Sequence, residues 1–122
     1  MRNYDFECVA TQINCGPGTR EYIEREWDKA VNRVENWIKT VRICITDING
    51  PKGGINQRCR IVMQTRLGAP IVVQETRERL SSAINVAIRR SVHTLKRKIS
   101  KKRDLKKQPV HIEPQQDAEG LS

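Results

Sequence analysis

Basic side chains are concentrated in one segment near the C-terminal end of this 122-residue chain. Residues 89–107 include ten Lys or Arg and one acid, Asp104, whereas the rest of the chain holds thirteen bases and thirteen acids. This segment therefore accounts for the whole formal net charge of +9. Such concentrated charge is typical of nucleic-acid-binding proteins. We predict that the contacts are made by Arg89, Arg90, His93, Lys96, Arg97, Lys98, Lys101, Lys102 and Arg103.

The types of these side chains indicate which nucleic acid they bind. Lys and Arg dominate the segment, while Asn and Gln, which read base edges, are scarce on its polar face, so we expect contacts with phosphates. A-form RNA is recognised mostly by its shape and backbone, which favours RNA. Trp27 and Trp37 are interpreted as core residues rather than as platforms for unpaired bases. A general RNA- or DNA-binding module and a domain for an acidic protein partner remain as alternatives.

Residues that could support catalysis or hold a metal ion are poorly arranged for either. No two cysteines have Cys-x-x-Cys spacing, and both histidines lie far from them in sequence (Cys8, Cys15, Cys44, Cys59; His93, His111). We expect the cysteines to be buried, reduced thiols. The Gly-rich loop 49–54 lacks the order of a phosphate-binding P-loop and precedes a predicted strand. We therefore predict no enzyme, no cofactor, no metal and no small-molecule substrate.

The loop 49–54 contains one further candidate for an RNA contact, Lys52. Its glycines would let the backbone approach RNA closely, so Lys52 is included among the predicted RNA-binding residues. The same density of Gly and Pro also suits a plain connection between two strands. Both interpretations stay open at the level of sequence.

The basic segment belongs to a long amphipathic helix, which we predict over residues 80–107. Apolar or small residues recur at three- and four-residue steps along one side, and the bases lie opposite them. The apolar side comprises Leu80, Ile84, Ala87, Ile88, Ser91, Leu95 and Ile99. We expect this side to dock on a core while the other faces the anionic partner.

The preceding part of the chain predicts a sheet and a second helix. Gly16 and Pro17 form a typical helix start, and a stripe of apolar residues continues to Trp37, so a helix is predicted over residues 17–37. Its exposed side mixes acids and bases. Alternating patterns predict strands at residues 4–8, 41–46, 58–66 and 71–75. The order β-α-β-β-β-α predicts an α+β fold, with a four-stranded sheet and two helices packed on one face.

The remaining expectations concern the open sheet face, the termini and the location of the protein. The sheet face away from the helices is expected to be wet, with Asp5, Glu7, Arg42, Arg58, Arg60 and Arg66 on it. We predict a single domain over residues 1–107 and a flexible tail over 108–122. No apolar run approaches the roughly 20 residues needed to cross a bilayer. The start of the chain lacks a secretory h-region, so we expect a cytoplasmic protein with no membrane partner.

Several stretches resemble the family of ribosome hibernation-promoting factors and ribosome-associated inhibitors, once called sigma-54 modulation proteins. The resemblance extends from about Asn3 to Lys102 and suggests a short, single-domain member. It is carried by Arg20-Glu21-Tyr22-Ile23-Glu24, Val41-Arg42-Ile43-Cys44-Ile45 and Ala83-Ile84-Asn85, and by the loop 49–54 with Gln57-Arg58-Cys59-Arg60-Ile61.

The resemblance implies a fold like that of the double-stranded-RNA-binding domain. It also implies binding to ribosomal RNA of the small subunit, where the protein blocks the mRNA and tRNA channel in resting cells. Among the family's basic positions, Lys29 matches on the first helix and Arg90, Lys96 and Arg97 match on the second. Arg89, Lys98, Lys101 and Lys102 extend that set. Glu26 stands where better-known members carry another lysine.

Overall fold

Six main elements are present in a computed structural model that describes residues 2–11, 16–48 and 56–107. They are β1 (Asp5–Thr11), α1 (Pro17–Val31), β2 (Ile38–Asp47), β3 (Gln57–Thr65), β4 (Ile71–Arg77) and α2 (Leu80–Lys107), and a 3₁₀ turn (Glu35–Trp37) precedes β2. The predicted α+β order is therefore confirmed. Lys52 with its loop, Cys15, His111 and the predicted tail 108–122 lie outside the described residues.

The four strands form one mixed sheet in the order β1-β2-β3-β4. β1 pairs in parallel with β2, whereas β2, β3 and β4 pair antiparallel. The register aligns Cys8, Ile43, Ile61 and Val73 in one row across all four strands. Because side chains directly opposite one another share a face, this row belongs to the side covered by the helices.

The core lies between that sheet face and the two helices. Ile43, Ile61 and Met63 from the sheet are fully buried, as is Trp27 from α1. The Trp27 indole N–H donates a 2.8 Å hydrogen bond to the Tyr4 hydroxyl, so this large side chain has no unsatisfied donor in the core. Every residue of the predicted apolar side of α2 is buried except Leu80, which is half-buried. The buried side comprises Ala83, Ile84, Ala87, Ile88, Ser91, Val92, Leu95 and Ile99.

Helix α1 and α2 run in the same direction across the sheet. Tyr22 contacts Asn85 near the start of both helices, with a 2.7 Å hydrogen bond from the Tyr22 hydroxyl to the Asn85 amide oxygen. Farther along, Val34 after α1 lines the same cleft as Ile99 of α2. This parallel arrangement leaves a groove between the C-terminal part of α1 and the middle of α2.

The predicted extent of the first helix is wrong at its C-terminal end. α1 ends at Val31 rather than at Trp37, and the chain continues through i+3 hydrogen bonds from the Val34 N–H to Val31 and from the Trp37 N–H to Val34. Val34 and Ile38 are nevertheless buried. The apolar residues that continue the helical spacing therefore lie in a turn and in a strand. Both of these structures direct the apolar side chains into the same core as α1 does.

The opposite sheet face is only partly wet. Asp5, Glu7, Arg42 and Arg60 are exposed as predicted, and Arg42 pairs with Glu7 at 3.3 Å, while Arg58 is half-buried. Arg66 is exposed but follows the end of β3. Val72, aligned with Val62 across the β3–β4 pair, is 53% exposed on this face.

Candidate nucleic-acid interface

The basic side chains of α2 divide into two rows rather than forming one uniform face. One row faces α1 and comprises Arg89, His93, Lys96 and Arg103, all of which line clefts between the helices. The other row lies toward β4 and its hairpin and includes Arg90 and Lys98. Arg97 and Lys101 are exposed, and their helical spacing from Arg90 places them on this second side.

The first row forms one wall of a groove of about 530 Å³ between α1 and α2. Its floor is apolar and is made by Ala30, Ile88 and Val92. Its rim is polar, and the side chains that form it are Glu26 and Lys29 from α1 and Asn85, Arg89, His93 and Lys96 from α2. The predicted contact Lys29 therefore lies across the groove from the predicted contacts on α2.

A second cleft continues from the groove past Lys96, which lines both. It is bounded by Arg33 after α1, by Trp37, and by Arg103 of α2. Arg33 was not among the residues predicted from the sequence, because the outer side of the first helix mixes both charges. Its four-residue spacing from Lys29 is a signal that could have identified it, since residues four apart lie on the same side of a helix.

The cations of the groove differ in how they are paired. Lys29 contacts the Glu26 carboxylate at 3.1 Å, and the Lys29 side chain is exposed whereas that of Glu26 is half-buried. Within the described residues no ion pair is found for Arg33, Arg89 or Lys96. Exposed cations without a carboxylate partner can bind phosphate without first losing another interaction.

Arg90 has a different environment from the other predicted contacts. Its guanidinium group donates to the Glu75 carboxylate of β4, which also accepts from Arg77 at 2.8 Å. The Glu75 side chain is only 8% exposed, because strand alternation turns it toward the helices. A largely buried carboxylate needs such partners, so Arg90 is bound within the protein itself.

Two further predicted contacts are also used within the fold. The Lys98 ammonium donates to the Ala69 carbonyl at 3.3 Å, next to the hairpin residue Gly68. The Lys102 ammonium lies 5.9 Å from the centre of the Trp37 ring, which is half-buried. A cation at this distance from an aromatic face is attracted to it. The groove between the helices, rather than the whole polar face of α2, is thus the surface with the most available charge.

Other kinds of site find little support in the described part of the chain. No cluster of His, Cys, Asp and Glu there could hold a metal ion. No helix in that part is both long enough and apolar enough to cross a membrane. Cys59 is buried as predicted, whereas Cys8 and Cys44 are half-buried.

Comparison with known proteins gives matches in structure. No protein-family model and no curated protein sequence matches the chain. Among solved structures, the N-terminal domain of Protein Y from Thermus thermophilus matches with a TM-score of 0.63 and 17% identity, over 77% of this chain and 97% of that domain. A ribosomal subunit interface protein from Coxiella burnetii matches with a TM-score of 0.61 and 13% identity, over 82% and 98% respectively. The resemblance predicted from the sequence is confirmed at the level of the fold.

Proposed function

We propose that this protein is a ribosome-associated translation inhibitor that binds ribosomal RNA of the small subunit. The groove between α1 and α2 carries this proposal, because both of its walls present cations to a single channel. The matched Coxiella protein is described as a ribosomal subunit interface protein, and its structure covers most of this chain. Such a function requires binding rather than catalysis, and it locates the protein in the cytoplasm with the ribosomes.

The protein binds RNA through phosphate contacts in the groove. Lys29 and Arg33 on one wall and Arg89 and Lys96 on the other can contact phosphates from two sides. Such contacts fix position and orientation without reading the sequence. Both helices pack through one apolar core onto the same sheet, which positions the two walls relative to each other.

Inhibition then follows from steric occlusion. A folded body held by several phosphate contacts in the mRNA and tRNA channel of the small subunit would exclude the ligands of translation. The mechanism needs no conformational change in this chain. It therefore predicts that inhibition and ribosome binding are lost together when the groove loses its charge.

Sedimentation through a sucrose gradient tests the proposal with a matched pair of variants. Arg89→Gln with Lys96→Gln removes two charges from the groove, whereas Arg58→Gln with Arg60→Gln removes two from the opposite sheet face. We expect the groove variant to leave the ribosomal fractions and to stop inhibiting translation in an extract, while the sheet variant does neither. Equal retention of both variants on ribosomes would contradict the proposed site. Sedimentation of the wild type with DNA or with a free acidic protein, instead of with ribosomes, would contradict the proposed partner.

A further inference from the structure

We propose that the groove holds one unpaired base of the bound RNA, and that this base is guanine. The inference rests on the proposed RNA binding and adds a specific subsite to it. Its basis is the combination, in one groove, of an apolar floor, cationic walls and a carboxylate that phosphate contacts do not explain.

The apolar floor is the first reason to place a base in the groove. Ile88 and Val92 are 4% and 5% exposed, and Ala30 beside them is half-buried. Phosphate groups are strongly hydrated and gain nothing from such a surface. The flat face of a base gains dispersion contacts and loses unfavourable contact with water there. Bases that are unstacked in RNA loops and bulges are the ones that proteins can take up in this way.

The position of the cations is the second reason. Lys29 lies on one side of this floor, and Arg89 and Lys96 lie on the other. A nucleotide whose base lies on the floor has a phosphate on each side of its sugar. The walls can therefore bind both flanking phosphates while the base lies between them.

Glu26 supplies the chemical selectivity. Its carboxylate lines the groove and repels phosphate, but it can accept two adjacent N–H donors of a base edge. Guanine presents such a pair, the ring N1–H and the N2 amino group, whereas uracil has one ring N–H between two carbonyl groups. The Lys29 side chain is 66% exposed and water screens its ion pair with the half-buried Glu26, so Lys29 can exchange the carboxylate for a phosphate when RNA binds.

Asn85 provides a donor that fits the same base. Its amide oxygen accepts the hydrogen bond from Tyr22, which fixes the orientation of the amide group. The amide NH₂ then remains as a donor on the groove wall. Guanine offers its O6 carbonyl next to N1–H, so Asn85 and Glu26 together complement its acceptor and donors.

Binding of short RNA oligonucleotides to the whole protein, followed by NMR or fluorescence anisotropy at low salt, tests this subsite. The probes are a uridine heptamer, the same heptamer with a central guanosine, and one with a central inosine, which lacks the N2 amino group. We expect the guanosine probe to bind roughly 5- to 100-fold more tightly than the uridine probe, as a bidentate contact to a base implies. The inosine probe should lose most of that advantage.

The variant Glu26→Gln separates base recognition from general RNA binding. The amide keeps the size of the side chain but offers one acceptor and no charge, so we expect the preference for guanosine to disappear and binding of the uridine heptamer to strengthen. Circular dichroism checks that the variant is folded.

The possible failures of the two proposals give different results. Equal binding of the guanosine and uridine probes by the wild type, or ribosome binding without binding of any probe, overturns the guanine subsite and leaves the proposed function intact. Failure to bind both probes and ribosomes overturns the proposed function as well.

Discussion

The fold strongly changes the chemistry of Cys59. It lies on the covered face of β3, aligned with Ile45, and is fully buried. Burial raises the pKa of its thiol to about 12, with smaller contributions from Cys8 and Cys44. A thiol is a nucleophile only as the thiolate, so Cys59 is expected to be inert while the protein is folded at neutral pH.

The raised pKa of Cys59 predicts that the protein loses stability at alkaline pH. In the unfolded chain this thiol ionises near its ordinary pKa of 9.0, whereas the folded protein keeps the proton up to about pH 12. Between these values the unfolded state binds fewer protons, so the free energy of unfolding falls as the pH rises, by up to about 1.4 kcal/mol per unit. Burial also raises the pKa of Tyr4 and acts in the same direction at higher pH.

Urea unfolding at about pH 8 and about pH 10 measures this effect. Wild type should lose about 1 kcal/mol of stability between the two values from Cys59. Cys59→Ala should be less stable at the lower pH, because it leaves a cavity, but its stability should change less with pH. An equal change in wild type and variant would show that the thiol is not responsible.

The sequence predicted which residues line the interface better than it predicted which residues form ion pairs within the fold. Lys29, Arg89, His93, Lys96 and Arg103 were all expected to contact RNA, and all line the clefts between the helices. The buried position of Glu75 could not be assigned from the strand pattern, because one of its two partners, Arg90, comes from α2. Pairing across elements depends on register and on helix position, which local periodicity does not specify.

At the scale of elements, α2 is attached to β4 by an ion pair as well as by its apolar side. Glu75 of β4 is held between Arg90 of α2 and Arg77 at the end of its own strand. The buried apolar side of α2 sets the rotation of the helix and turns Arg89 and Lys96 toward α1. The Glu75 contact adds to the stability of this packing.

A comparison of two single variants on α2 tests this division of roles. Arg90→Gln should lower the free energy of unfolding by about 1–2 kcal/mol, because Glu75 loses a charged partner in a largely buried position. Its affinity for ribosomes should stay close to that of wild type. Lys96→Gln should have the opposite profile, with nearly unchanged stability and weaker ribosome binding. Chemical unfolding measures the change in stability, and sedimentation measures ribosome binding. Weaker ribosome binding by the folded Arg90 variant would show that Arg90 contacts the ribosome.

Helices and strands were predictable from the sequence where the spacing of apolar residues matched a single type of secondary structure from end to end. α2 has both of its predicted ends, and the strands lie at the predicted places with some extension, β4 reaching Arg77. The end of α1 was not predictable from the pattern. Val34 and Ile38 keep the helical spacing, but Ile38 must become extended to pair with Thr65 of β3. That tertiary pairing overrides the local preference.

At the scale of the whole molecule, charge is divided between two surfaces. The helical side carries the cations of the groove, whereas Arg42 on the opposite sheet face is paired with Glu7. Arg2, near the start of the chain, binds Glu24 and Asp28 on the side of α1 away from the groove. These pairs involve two of the three acids of α1 that lie outside the groove.

The central claim, that this groove captures RNA phosphates, is tested most directly by the salt dependence of binding to the small ribosomal subunit. With about four phosphates engaged by Lys29, Arg33, Arg89 and Lys96, the affinity of the wild type should fall on the order of 10²-fold between about 50 and 200 mM salt, by analogy with duplex DNA. In a plot of log affinity against log salt, the slope for the Arg89 and Lys96 double variant should correspond to about two fewer phosphate contacts than the slope for wild type. The Arg58 and Arg60 variant should keep the wild-type slope. A wild-type affinity that hardly responds to salt, or an equal loss of slope in both variants, would contradict the account.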